Sequence, residues 1–124
     1  MGAAAGAMAL AMLGGVITAV AGDAQALRAW TLLAVAPVIE EVVFRAGLQE
    51  ALLRRPGLRA WATPLTALAF ALAHLPAHGA LWAMATAGPA LLVGAVYART
   101  RRLAPCVALH AGMNGAWLAA TGLV

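Results

Sequence analysis

The 124-residue sequence has no serine and no lysine, and it holds one aspartate, one asparagine and one cysteine. Without serine, a nucleophile of the Ser-His or Ser-Lys kind is excluded. Asp23 is the sole aspartate, so two aspartates cannot share a proton in an acid dyad. The single Cys106 makes neither an internal disulfide nor a multi-cysteine metal site, and it reads as a small buried apolar side chain. A His-Glu-x-x-His metalloprotease helix is missing too. Charge is scarce, with 10% of residues charged against 65% hydrophobic. Soluble chains carry about 25% and roughly 45–50% respectively. A soluble core of this length cannot hide so much apolar surface, whereas a bilayer can. All eight basic residues are arginines, most of them clustered at the ends of apolar runs. The net charge of +4 therefore reads as a topology signal and not as a nucleic-acid surface.

At roughly 20 residues per spanning helix, the length suits one membrane domain over residues 1–124. The expected fold is all-α, a polytopic transmembrane helix bundle of four to five spans. The first is the uncharged, alanine-rich stretch from Ala3 to Ala21. It reads as a retained helix and not as a cleaved signal peptide, because a positively charged n-region is lacking. The others run from about Trp30 to Leu53, Trp61 to Leu75, Ala80 to Ala98 and Leu103 to Leu123. Arg54, Arg55 and Arg59 mark one cytoplasmic loop, and Arg99, Arg101 and Arg102 a second. Two spans separate them, so the parity is consistent and the N-terminus is expected inside. Trp30, Trp61 and Trp82 fall near span ends, as interfacial tryptophans do, while Trp117 is expected to pack against a neighbouring helix. Pro37, Pro64 and Pro89 lie inside the expected spans, where each removes a backbone donor.

The second span reads Ala36-Pro37-Val38-Ile39-Glu40-Glu41-Val42-Val43-Phe44-Arg45. A charged side chain at the centre of a spanning helix costs roughly 2.5–3.5 kcal/mol, so two adjacent glutamates mark a functional site. Residues four apart share a helical face. Glu41 thus has Arg45 as a built-in counter-ion, and Glu40, about 100° away around the axis, is free to meet another helix. The third span carries Phe70 and His74 one turn apart, and the fifth carries His110 and Asn114 at the same spacing. His78, after Pro76, reads as an exposed loop residue. Counted from the arginine loops at 1.5 Å per residue, Glu40 and His74 lie roughly 21 Å deep but His110 only about 10 Å. Groups that act together should be level.

Glutamate, histidine, asparagine and arginine at membrane depth can hydrolyse an amide by activating water. Glu40 would take a proton from the water, and His74 would share that water or protonate the leaving amine. His110 and Asn114 would donate to the oxyanion. Arg45 would hold Glu41 ionised. No cofactor is expected, with a zinc site of two histidines and one glutamate as the chemical alternative.

The ordered set Glu40-Glu41-x-x-x-Arg45, Phe70-x-x-x-His74 and His110-x-x-x-Asn114 resembles the CPBP family of intramembrane proteases, which includes the type II CAAX prenyl endopeptidases. The resemblance covers roughly residues 36–118. It implies a glutamate-dependent intramembrane endopeptidase in which Glu40 and His74 activate water, His110 and Asn114 stabilise the oxyanion, and Glu41 and Arg45 support them. Ala46 stands where many members carry glycine, and the chain is near the family's minimal helical core. The expected partners are the lipid bilayer and a membrane-anchored peptide or protein, with no nucleic acid. The lack of lysine with heavy use of alanine and arginine points to a high-GC bacterium and its cytoplasmic membrane. That favours a sorting, leader or bacteriocin-type peptide over a prenylated one. The competing readings are a non-catalytic immunity or partner-binding protein of the same fold and a small ion or proton pathway.

Overall fold

The structure is a computed structural model that describes residues 13–18 and 22–122. Most of the first expected span, Ala3 to Ala21, therefore lies outside the described residues. Among those described there is no strand, and the fold is all-α.

Helix α1 covers residues 24–53. It starts earlier than expected because Asp23 caps it, with Oδ1 accepting from the backbone N–H of Gln25 at 2.8 Å and of Ala26 at 3.2 Å. Two stretches of α1, Thr31–Val35 and Val42–Gln49, are π-helical. The first has a cause in the sequence. Pro37 has no N–H and its ring crowds the carbonyl four residues back, and the Ala36 N–H reaches back five residues to Thr31 O. The donor missing at Pro37 is thus accommodated as a widened turn.

After a 3₁₀ turn at Arg59–Trp61, helix α2 runs Ala62–His78. Helix α3 runs Ala80–Thr100 and helix α4 Leu103–Thr121. Pro64 is the third residue of α2, where its missing N–H has no helical partner to lose. The helix continues through Pro76, so His78 ends a helix and is not in a loop. It stops at Gly79, whose φ of 79° is open to glycine at little cost. Gly122, with φ 65°, ends α4 in the same way.

Helices α1 and α3 run parallel and are stitched turn by turn. Arg45 donates to Ala90 O and Gln49 to Gly94 O, both at an offset of 45 residues. Small residues at 90 and 94 let the backbones approach. Glu50 then closes the end of the bundle, taking Arg54 Nε at 2.9 Å, Arg101 Nη1 at 2.7 Å and the Tyr97 hydroxyl at 3.1 Å. This one carboxylate joins the two arginine loops, so both lie at the same end of the molecule, beyond the apolar segments. Between α1 and α4 the depth mismatch disappears with it. Glu41 and His110 each stand nine residues from the Glu50–Arg101 bridge (41 to 50, 101 to 110), roughly 13 Å along a helix. A count from Arg54 starts too far out.

Leu53, Ala62, Val93, Tyr97 and Cys106 form a core near the arginine end, and Ala67, Phe70 and Ala90 form another against Phe44. The exterior is apolar, with Leu81 84% and Met84 76% exposed, while Glu41, Arg45, Gln49, Thr66 and His110 are buried among the apolar core residues. Two helices, Arg59–His78 and Ala80–Thr100, are long and apolar enough to cross a bilayer, against the four to five expected. Glu40, Glu41, Arg45 and Glu50 in α1, and His110 and Asn114 in α4, dilute the hydropathy of the other two. Trp117 packs as expected, edge to face with Trp82 at 4.6 Å.

Candidate active site

The polar residues singled out along the chain converge on one cavity of about 650 Å³, whose wall includes Glu40, Glu41, Arg45, His74, His110 and Asn114. The imidazole of His110, on the cavity wall, is approached by both glutamates. Its Nδ1 donates to Glu41 Oε1 at 2.8 Å, and its Nε2 lies 3.6 Å from Glu40 Oε2. Two adjacent glutamates thus reach the two nitrogens of one ring. They can do so because successive helix positions differ by about 100° around the axis. A carboxylate only accepts, so the Glu41 contact fixes the Nδ1–H tautomer, and in the neutral ring Nε2 carries the lone pair.

Glu41 is fully buried. Its Oε2 sits 2.9 Å from Arg45 Nε, an ionic contact out of hydrogen-bond alignment. Arg45 is buried as well, and its Nη2 donates to Ala90 O at 3.3 Å. Its guanidinium lies 5.8 Å from the centre of the Phe70 ring, near enough for a cation–π contact. Arg45 Nη1 is buried without a hydrogen-bond partner. Glu40 is the more accessible carboxylate, with its side chain 27% exposed.

His74 enters from α2. Its Nδ1 lies 2.8 Å from Phe70 O, and a carbonyl only accepts, so Nδ1 carries the proton and the neutral ring has its lone pair at Nε2. Phe70 holds both histidines by ring contacts, at 4.5 Å to His74 and 5.9 Å to His110. The spacing Phe70-x-x-x-His74 therefore serves two purposes, since the carbonyl orients the imidazole and the ring packs against it. Asn114 Nδ2 donates to Leu32 O at 2.8 Å.

Sequence reasoning missed four residues here. His78 stacks on His74 at 5.9 Å and lines the cavity, as does Arg28. Gln49 and Thr66 are fully buried polar groups in α1 and α2. Gln49 Nε2 donates to both Thr63 Oγ1 and Gly94 O, leaving Oε1 without a partner. The i, i+4 spacing of Arg45 and Gln49 was the available signal, because it puts Gln49 on the face that Arg45 already marks as inward.

Among the described residues, no three His, Cys, Asp or Glu side chains are grouped to hold a metal ion. Glu41 is already engaged by Arg45 and His110, and the Nδ1 of each site histidine by an acceptor.

Comparison with curated proteins finds no match, and neither does comparison with solved structures. A family model does match, that of the Type II CAAX prenyl endopeptidase Rce1-like proteins, over residues 22–116. This stretch takes in every glutamate and histidine of the cavity together with Asn114, and the chain accordingly belongs to the Rce1-like family of type II CAAX prenyl endopeptidases, which are membrane proteases.

Proposed function

We propose that the chain is an intramembrane endopeptidase that uses Glu40 to activate water against an amide bond of a membrane-associated peptide or protein. The observation that carries this reading is the pair of adjacent glutamates on the two nitrogens of His110, at the wall of a cavity that His74 also lines. Water held between Glu40 and His74 Nε2 gives up a proton to Glu40 as its oxygen attacks the carbonyl carbon. The C–N bond then breaks, and the proton passes from Glu40 to the leaving amine, either directly or through His74. His110, steadied at Nδ1 by Glu41, donates from Nε2 to the oxyanion in the form that has taken a proton from solvent, and it keeps that proton through the turnover. Arg45 is the counter-charge to Glu41, at 2.9 Å. One N–H of the Asn114 amide is committed to Leu32 O, which leaves its second N–H to join His110 at the oxyanion.

In this reading α1 and α4 cross the membrane beside α2 and α3. The arginine end faces the cytoplasm of a bacterial cell, so the site opens roughly 13 Å below that surface. A sorting, leader or bacteriocin-type peptide is the proposed substrate class. The test is mapping of peptide termini in membrane fractions from cells carrying the native chain or Glu40→Gln at matched expression. Discrete termini that depend on Glu40 support the protease and name its substrate. Identical termini in both, under conditions where the gene matters to the cell, favour a non-catalytic immunity or partner-binding protein.

A further inference from the structure

A proline inside a helix leaves carbonyls of the preceding turn without donors, and in a membrane such groups need a substitute. The turn before Pro37 can be accounted for carbonyl by carbonyl. The Ala36 N–H, which would serve Leu32 O four residues back in an α-helix, goes five back to Thr31 O. The donor five residues on from Leu32 is Pro37, which has no N–H. Leu32 O is therefore left without either helical donor. The group that reaches it is the Asn114 Nδ2 of α4, at 2.8 Å. The sole asparagine of the chain stands in for the hydrogen that Pro37 lacks.

The consequence for the site is geometric. Each residue added to a turn rotates the helix beyond it, and the turn at Thr31–Val35 immediately precedes Ala36–Glu41. Its width fixes where Glu40 and Glu41 point around the α1 axis. His110 lies one turn before Asn114 on α4, so one helix both sets the turn through Asn114 and receives the two glutamates through His110. We infer that Asn114 is a positioning residue, which holds the π-turn of α1 through Leu32 O and thereby aims Glu40 and Glu41 at His110. This effect passes through the backbone of α1 and is separate from donation by the second amide N–H of Asn114. The catalytic arm of this inference rests on the protease reading above, whereas the structural arm does not.

The distinguishing variant is Pro37→Ala, which restores an N–H at the position from which Leu32 O can be served. Asn114→Ala should lower kcat by about 10²-fold, the loss expected when reacting groups move by about 1 Å, with KM little changed. It should also lower the thermal midpoint of the purified full chain, read by labelling of the buried Cys106. Pro37→Ala in the Asn114→Ala background should recover about ten-fold or more of the lost kcat, within the penalty estimated for misplacement, and most of the lost midpoint. Asn114→Asp keeps the shape but turns a donor into an acceptor, and it should behave like Asn114→Ala. If Pro37→Ala recovers the midpoint but not kcat, Asn114 acts on the reaction directly and the positioning role fails. If neither recovers, the Leu32 tie itself is wrong. If the native chain shows no Glu40-dependent cleavage, the protease reading has failed, and the midpoint cycle alone still decides whether Asn114 replaces the missing donor.

Discussion

Gly94→Ala tests how closely α1, α2 and α3 are fitted at Gln49. A Cβ at Gly94 would stand 2.9 Å from Thr63 Cγ2, 3.3 Å from Gln49 Oε1 and 3.6 Å from Gln49 Nε2. The methyl of Thr63 cannot simply turn aside. Its χ1 is stiff, and rotating it swings Oγ1 away from Gln49 Nε2, which it now accepts from at 3.1 Å. Overpacking of this kind costs about 1–3 kcal/mol, and the Gln49–Thr63 bond adds about 1 kcal/mol. At about 4 °C per kcal/mol, a combined loss of about 2–4 kcal/mol lowers the midpoint by about 8–16 °C. The chain has its own reporter in Cys106, a single cysteine that is fully buried, so thiol labelling on a temperature ramp reads the transition. Thr63→Ser removes the offending methyl and keeps the hydroxyl, and combined with Gly94→Ala it should regain most of the loss. An unchanged midpoint for Gly94→Ala, or a double variant no better than the single one, would refute the packing argument.

Glu40→Gln should reduce cleavage by about 10²-fold or more, the contribution of a positioned general base, while the thermal midpoint stays near that of the native chain. Arg45→Met strands the buried carboxylate of Glu41 and should cost about 3–5 kcal/mol, visible as a large midpoint shift. Glu50 gives a pH prediction. The Arg54 guanidinium bonded to it holds its carboxyl below the ordinary range, Tyr97 and Arg101 add to this, and partial burial opposes them. A folded value below the unfolded one contributes stability above the unfolded pKa of about 4.3. That contribution is lost as pH falls through the folded value. Glu50→Gln should therefore be less stable than the native chain at pH 7, and their midpoints, followed by tryptophan fluorescence, should converge as the solution is acidified. A constant gap would contradict this.

Much of the site was legible because membrane depth makes polar residues conspicuous. Glu40, Glu41, Arg45, His74, His110 and Asn114 stand out against apolar neighbours, and all six line one cavity. The illegible part depended on backbone geometry and on partners far along the chain. The π-turn at Thr31–Val35 is a consequence of Pro37, but a proline alone reads equally well as a kink. Glu50 announces its i, i+4 pair with Arg54, yet nothing local shows that Arg101 closes the same carboxylate from 51 residues away. Without that bridge the depth of Glu40 is counted from the wrong origin, Arg54. Gln49 and Thr66 look ordinary because neither is charged. His78 reads as a loop residue because Pro76 resembles a helix end, whereas the helix runs on until Gly79 supplies a positive φ.

The central claim is that Glu40 makes water the attacking group. The most direct measurement is cleavage in H₂¹⁸O, with the purified chain in liposomes and the peptide identified by terminus mapping, comparing native protein with Glu40→Gln. The native chain should place one ¹⁸O in each newly formed C-terminal carboxylate, and Glu40→Gln should lose that labelled product. Equal labelled product from both proteins, or new termini that carry no ¹⁸O, would contradict it.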